Sequence, residues 1–437
     1  MEYKRKDRKR SIKLMLLGLV VCLSVQAQET RFAVISDVHV MSPSLLVEEG
    51  KAFTDYVAHD RKMLKESPVI LDDLVEKLLA EHPAFVLLTG DLTKDGEEVS
   101  HRDVADRLEK LKAAGIRTLV IPGNHDVNNP HAVAFKGDTT ERVHTVSAKE
   151  FADIYAPFGY GDALARDTAS LSYLYAINDT LRILALDACK YEENDFDANV
   201  CRHDGRLKPE TMAFIRKQVK DAREKGIRVL CMMHHGIVEH WKYQNRIAPG
   251  YLVDGWKKVA DTFAKLGLEV VFTGHSHAQD ITLRKKGKRM IYDIETGSSV
   301  SYPSPYRLVT FRGNTLDIRS RFIESIPTYR GELPFPEYAK TFLEAGVHNV
   351  VIDMFPKKLP DEVQELAANT IARYMVVSYR GDEQMTDADR QEIKRVGKLI
   401  RKHSFLWSKV FKAVSRSLLT DLTPADNDFT IELRSVK

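Results

Sequence analysis

Five short apolar runs in this chain end in residues that hold metals or move protons. Ser36-Asp37-Val38-His39 closes the first, Gly90-Asp91 the second and Gly123-Asn124-His125-Asp126 the third, while His234-His235 and Gly274-His275-Ser276-His277 close two later ones. Each has an ordinary explanation by itself: an Asp-x-His is commonly a turn aspartate beside a surface histidine, Gly-Asp a turn, and Gly-Asn-His-Asp a helix cap. Together they read differently, because a ligand type at the end of run after run serves no packing purpose and adds polar groups that need partners. Asp37, His39, Asp91, Asn124, His234, His275 and His277 supply eight ligand positions if the Asp91 carboxylate is shared, enough for two ions. Mixed carboxylate, imidazole and amide donors favour Fe, Mn or Zn over Ca, and nothing resembles a cysteine-based zinc site.

Residues so far apart in sequence must be gathered by a fold. The apolar runs read as strands over Arg31–Ser36, Ala84–Thr89, Thr118–Pro122, Leu181–Leu186, Arg228–Met233 and Val270–Thr273. Between them lie segments with apolar residues three and four apart, including Val69–Glu81, Val99–Gly115, Pro209–Gly226 and Gly255–Gly267, which read as helices. Alternation of strand and helix implies an α/β protein with a largely parallel sheet covered on both faces, and ligands then collect beyond the carboxyl ends of the strands. From about residue 281 the pattern changes: Lys288–Glu295, Tyr306–Arg312 and Thr315–Phe322, the last two joined by Gly313-Asn314, read as an antiparallel meander. Residues 326–340, with Pro327, Pro334 and Pro336, read as a linker, and the segments Asp361–Ser378 and Thr386–Leu419 as helices of a C-terminal domain, residues 341–437.

The series Asp37-x-His39, Gly90-Asp91, Gly123-Asn124-His125-Asp126, His234 and Gly274-His275-x-His277 resembles, in order and spacing, that of the calcineurin-like metallophosphoesterases, across roughly residues 31–320. The resemblance implies a four-layer αββα sandwich of two mixed sheets between helical layers. It implies one ion on Asp37, His39 and His277, a second on Asn124, His234 and His275, Asp91 bridging, and a bridging hydroxide as nucleophile. His125 is then the general acid that protonates the leaving oxygen, with Asp126 orienting it or the loop; His235 either contacts substrate or supports the site structurally. Two cations suit a phosphoester because its negative charge repels nucleophiles, and they lower the pKa of bound water. Gly90–Gly96 and Thr296-Gly297-Ser298 resemble the branch that contains bacterial cyclic-nucleotide phosphodiesterases, which also acts on other mono- and diesters. A cyclic-nucleotide phosphodiesterase is the alternative reading, and a non-catalytic interaction scaffold a remoter one.

The chain has 437 residues, 43% of them hydrophobic, enough for a domain of about 300 residues and a smaller partner. With 65 basic against 62 acidic residues, no general pull toward nucleic acid is expected; the partner that the resemblance implies is a small phosphoester. The basic helix around Lys394–Lys412 reads as a solvated face. Residues 1–27 read as a secretory signal: a basic start, an apolar stretch from Leu14 to Val25 too short to span a bilayer, then Val25-Gln26-Ala27. The expected location is therefore periplasmic or extracellular, with membrane attachment only if that segment is retained or Cys22 is lipidated. Of the remaining cysteines, Cys189 and Cys201 read equally as a disulfide pair or as reduced thiols.

Overall fold

In the computed structural model, residues 29–356 and 359–436 are described. The segment read as a signal, with Cys22, lies outside them. The strands are β1 Thr30–Ile35, β2 Leu46–Glu48, β3 Phe85–Leu88, β4 Arg117–Val120, β5 Val133–Lys136, β6 Thr139–Arg142, β7 Ala165–Arg166, β8 Tyr173–Ala176, β9 Leu181–Leu186, β10 Arg228–Met233, β11 Val270–Thr273, β12 Asp280–Lys286, β13 Arg289–Glu295, β14 Pro305–Arg312, β15 Thr315–Phe322 and β16 Asp428–Glu432. The helices are α1 Lys51–Ala58, α2 Ser67–Glu81, α3 Glu98–Ala113, α4 Ala148–Ile154, α5 Pro209–Glu224, α6 Gln244–Ile247, α7 Trp256–Leu266, α8 Phe335–Met354, α9 Asp361–Arg380, α10 Asp387–Arg401 and α11 Phe405–Ser417.

Two mixed sheets result. One runs β16-β15-β14-β1-β3-β4 and the other β12-β13-β11-β10-β9-β8-β7, with a small third sheet β2-β5-β6 at the side. The strands β1, β3 and β4 are mutually parallel, as are β9, β10, β11 and β13, and antiparallel strands complete the edges. Side-chain alternation sets the layers. In the second sheet Ile183, Ala185, Leu230, Met232 and Phe272 face inward to the core shared with the first sheet, while Leu184, Leu186, Cys231, Met233 and Val271 face outward onto Ile215 and Val219 of α5 and Ala260 and Phe263 of α7. Phe32 of β1 stacks on Phe85 within its sheet and meets Phe272 of the other edge-on, ring centroids 5.6 Å apart. Leu71, Leu74, Leu78, Val104 and Leu108 of α2 and α3 cover the first sheet. This is the four-layer αββα sandwich.

Three sequence expectations change. β13 does not continue into β14 as a meander: it pairs in parallel with β11, and β14 lies in the other sheet. The crossing segment, 296–304, is built mostly of small residues that are buried and hydrogen-bonded, Ser299 N to Ser36 O (3.3 Å) and Ser298 Oγ to Asp37 O (2.7 Å), so it can pass between the sheets. The stretch 326–340 includes the start of α8, because Pro334 and Pro336 fall at the N-cap and the first turn, where a proline costs no hydrogen bond. The single long helix expected over 386–419 is two, α10 and α11, with Ser404 capping the second through Trp407 N.

The C-terminal segment is tied back to the sandwich through its last residues. β16 adds an antiparallel strand to the free edge of β15. Arg307 of β14, wholly buried, donates to the carbonyl oxygens of Asp426 (2.6 Å), Glu295 (2.6 Å) and Asp280 (3.3 Å), joining that segment to both sheets. Cys189 and Cys201 are free thiols, hydrogen-bonded separately to the carbonyls of Pro122 and Asn124, so the disulfide alternative falls. No helix among the described residues is long and apolar enough to cross a membrane.

Candidate metal centre

The turns that follow β1, β3, β4, β10 and β11 meet at one edge of the two sheets. Asp37 N donates to Gly90 O (3.1 Å) and His39 N to Asp91 O (3.0 Å), which locks the first two turns side by side. His275 N donates to the Asp37 carboxylate (3.1 Å), and His125 N to Asp91 Oδ1 (3.0 Å), bringing in two more. Such close approach explains the glycines: a Cβ at Gly123 would collide with the Asp91 side chain, and one at Gly274 with Ser36 and Asp37. It is also strained. Asp37, His39, Asp91, His275 and His277 all have positive φ, between 36° and 83°, a conformation side chains avoid unless the surroundings impose it.

The side chains converge in two overlapping groups: Asp37, His39, Asp91 and His277, and Asp91, His234 and His275, all buried, with the candidate ligand atoms of each group within 4.8 Å of one another. His39 Nε2 lies 3.2 Å from His277 Nε2 and 3.6 Å from Asp91 Oδ2, and His277 Nε2 lies 3.4 Å from Asp37 Oδ1. His234 Nε2 stands 3.3 Å from Asp91 Oδ2 and 3.2 Å from Asn124 Oδ1. Ligands held roughly 2.1 Å from one ion in octahedral or tetrahedral geometry stand roughly 3.0–3.4 Å apart; four of these separations fall in that range, and the fifth, at 3.6 Å, is slightly wider. Ring orientation fits as well. His234 Nδ1 meets Thr89 O at 2.8 Å, leaving Nε2 free to coordinate, and His275 Nε2 meets Gly250 O at 3.2 Å, leaving Nδ1.

The electrostatics agree with that donor set. Burial, reinforced by the Lys62 charge at His39 and by neighbouring rings at His275, holds His39, His275 and His277 below their ordinary pKa, neutral and ready to donate lone pairs. Burial also opposes charge on His234, but Asp91 overrides it and pushes the ring up to about 10.

His125 stands beside the ligands without joining either group. Its ring packs edge-on to His39 with centroids 4.9 Å apart, and its Nδ1 meets Asp95 Oδ1 at 2.8 Å. Burial and Lys62 oppose protonation of His125, and Asp91 and Asp95 outweigh them, raising its pKa. Asp126 does not reach this ring. Its carboxylate accepts from the backbone N–H groups of Leu92, Thr93 and Gly123 and from Thr93 Oγ1, all at 2.8–3.0 Å, contacts that match the loop-orienting alternative of its two expected roles. Asp95 is the residue that orients His125, and it is fixed in turn by Lys94, Tyr56 Oη (3.0 Å) and Asn129 Nδ2 (3.2 Å). His235 is fully buried, its Nε2 on His203 O (3.0 Å); burial and the adjacent His234 lower its pKa to about 3, and it supports the 203–205 loop from behind.

Three further residues escaped the sequence reading. His203, at the exposed rim, receives the Asn124 Nδ2 hydrogen bond (3.2 Å). Arg61 and Lys62 bring positive charge toward His277 and His39 from a loop fastened by Ser301 Oγ to Arg61 O (2.7 Å). Asp95 could have been noticed as a second acid four residues after Asp91; the two cations carry no local signal. Farther along, His240 is buried among Asp280, Asp293 and Glu295, whereas Tyr243 is 40% exposed.

A sequence profile described as calcineurin-like phosphoesterase matches residues 30–279. The chain is 36% identical over 107 residues to a protein of Rhodopseudomonas palustris named as a probable cyclic nucleotide phosphodiesterase, a match covering 23% of this chain and 38% of that one. Among solved structures it is similar to a dimetal phosphatase from Danio rerio, at 14% identity and TM-score 0.46, covering 67% of this chain and 96% of that one. It is also similar to a Plasmodium protein described as the anchor in the inner membrane complex, at 9% identity and TM-score 0.38, covering 72% and 94%.

Proposed function

The chain belongs to the calcineurin-like phosphoesterases, and from that premise we propose that it is an exported hydrolase of small phosphoesters, mono- or diesters, working with two metal ions and with His125 as general acid. What carries this reading is the Asp91 carboxylate, common to both groups of buried donors, with His125 next to them and coordinated to neither. Asp37, His39 and His277 would hold one ion and Asn124, His234 and His275 the other, with Fe, Mn or Zn matching the donors. Two such ions neutralise the charge that shields a phosphoester and make hydroxide available near neutral pH.

The remaining steps belong to the side chains. Asp95, bound to Nδ1, turns the opposite nitrogen of His125 outward, where it can give its proton to the departing ester oxygen. Lys62 and Arg61 add fixed positive charge for a phosphoryl group. The basic and apolar start of the chain supports export. Turnover of bis-p-nitrophenyl phosphate and p-nitrophenyl phosphate, with metal analysis of the same sample, tests the reading. Hydrolysis that follows metal content is the expected result; none with Mn, Zn or Fe supplied refutes it.

A second reading, a cyclic-nucleotide phosphodiesterase, is favoured by the identity to the Rhodopseudomonas palustris protein. Hydrolysis of a cyclic nucleotide with a higher kcat/KM than bis-p-nitrophenyl phosphate would support it.

A further inference from the structure

Between the C-terminal helices and the metal centre lies a cavity of about 420 Å³. Its far wall is apolar, contributed by Val351 of α8, Ile371 and Met375 of α9, and Phe411 and Val414 of α11. Its near end abuts the ligands. Ser276 stands between His275 and His277, and the Tyr251 ring lies 4.9 Å from that of His275. Arg61 lies at the same end, half-buried, its guanidinium donating to the hydroxyls of Tyr379 (2.9 Å) and Tyr251 (3.5 Å). Among the described residues no carboxylate comes within ion-pair distance of it. Its hydrogen bonds go to two neutral phenols, and the nearest negative charge acting on it is that of its neighbour Asp60, which makes no ion pair with it; a guanidinium drawn partly out of water in this way is suited to an incoming anion.

Resting on the function proposed above, we propose that this cavity receives the apolar ester group of the substrate, an amphiphilic phosphoester carrying a single alkyl or acyl chain, while Arg61 takes an oxygen of its phosphoryl group. The charge arrangement matches such a molecule end for end: cation and metal ligands at one pole, aliphatic wall at the other. The volume admits a chain of roughly a dozen methylene groups, each taken as about the size of a water molecule. Small phosphoesters would use the metal centre and leave the cavity empty.

The test is calorimetric titration of the full-length, metal-loaded protein with alkylphosphonates of two, four, eight and twelve carbons, each below its micelle concentration; the P–C bond resists hydrolysis, so binding is read alone. The dissociation constant is expected to fall roughly three- to fourfold per added methylene until the cavity fills. Val414→Trp, which fills the apolar wall, should flatten the series and leave the two-carbon affinity unchanged; Met375→Trp, from another helix, gives the same reading if the first variant does not fold. Arg61→Ala should weaken every member by the same factor. A series flat in chain length, or one equally steep in the filled variants, overturns the proposal. Turnover of bis-p-nitrophenyl phosphate by the same samples keeps the two readings apart: a steep series without turnover refutes the hydrolase, and turnover with a flat series refutes only the chain site.

Discussion

Replacing His125 by Ala should separate acid catalysis from metal binding. The side chain belongs to neither donor group, and the contact His125 makes to Asp91 runs through its backbone N–H, 3.0 Å from Asp91 Oδ1, which alanine retains. Asp95 loses one partner and keeps Lys94, Tyr56 and Asn129, so the loop stays in place. A positioned general acid is worth about 10²–10⁴ in rate, or about 2.7–5.4 kcal/mol at about 1.36 kcal/mol per decade. The whole of that loss should fall on substrates whose leaving group is a poor one, such as dimethyl phosphate or a simple alkyl phosphate. A p-nitrophenolate leaving group needs no proton, so its kcat should change by less than about tenfold. The assay is kcat across a leaving-group series, with metal content measured on each sample. Equal loss on good and poor leaving groups, or loss of metal along with activity, would refute the assignment of His125 as the acid.

Asp95→Asn removes one of the two carboxylates that hold the His125 pKa up against burial. Since a raised pKa keeps the acid protonated to higher pH, activity on poor leaving groups falls as pH climbs through it, and the variant should move that alkaline limb downward by about 1 unit or more; an unmoved limb would contradict the role of Asp95. Asp126→Ala strands three backbone N–H groups and the Thr93 hydroxyl, and at about 1 kcal/mol or more for each buried donor it should cost at least about 4 kcal/mol in urea unfolding. A chain ending at Glu324 strips β16 from β15 and the Asp426 carbonyl from Arg307; it should be less soluble and melt lower than the full chain, and an equal melting temperature would show the C-terminal segment to be dispensable for the sandwich.

The residues that the structure gathers into the candidate metal centre were legible because they sit where strands stop, and both parts of that signal are local. Thr30–Ile35 and Arg228–Met233 are short, mostly apolar runs, and a buried strand fixes the place of the polar residues that follow it. What could not be read depends on contacts between distant segments. Asp95 differs from any other loop aspartate only because His125, thirty positions later, lands against it. Arg61 and Lys62 lie in a loop with no regular pattern, and their place is set by Val300 and Ser301. β16, with the sequence Asp-Phe-Thr-Ile-Glu, is a strand because β15 offers it an edge, and β13 and β14 part company because the 296–304 segment is small and polar enough to cross the interior. Glycines 123 and 274 were visible as a recurring residue before the ligands, but their reason is steric and needed the facing aspartates.

The central claim, that one carboxylate joins two metal sites into a single catalytic centre, is tested most directly by counting metal ions per chain in the wild-type protein and in Asp91→Ala. Two ions are expected in the wild type, with turnover of bis-p-nitrophenyl phosphate proportional to occupancy, and both sites should weaken together in the variant. One ion in the fully active wild type, or an Asp91→Ala variant that keeps two, would contradict it.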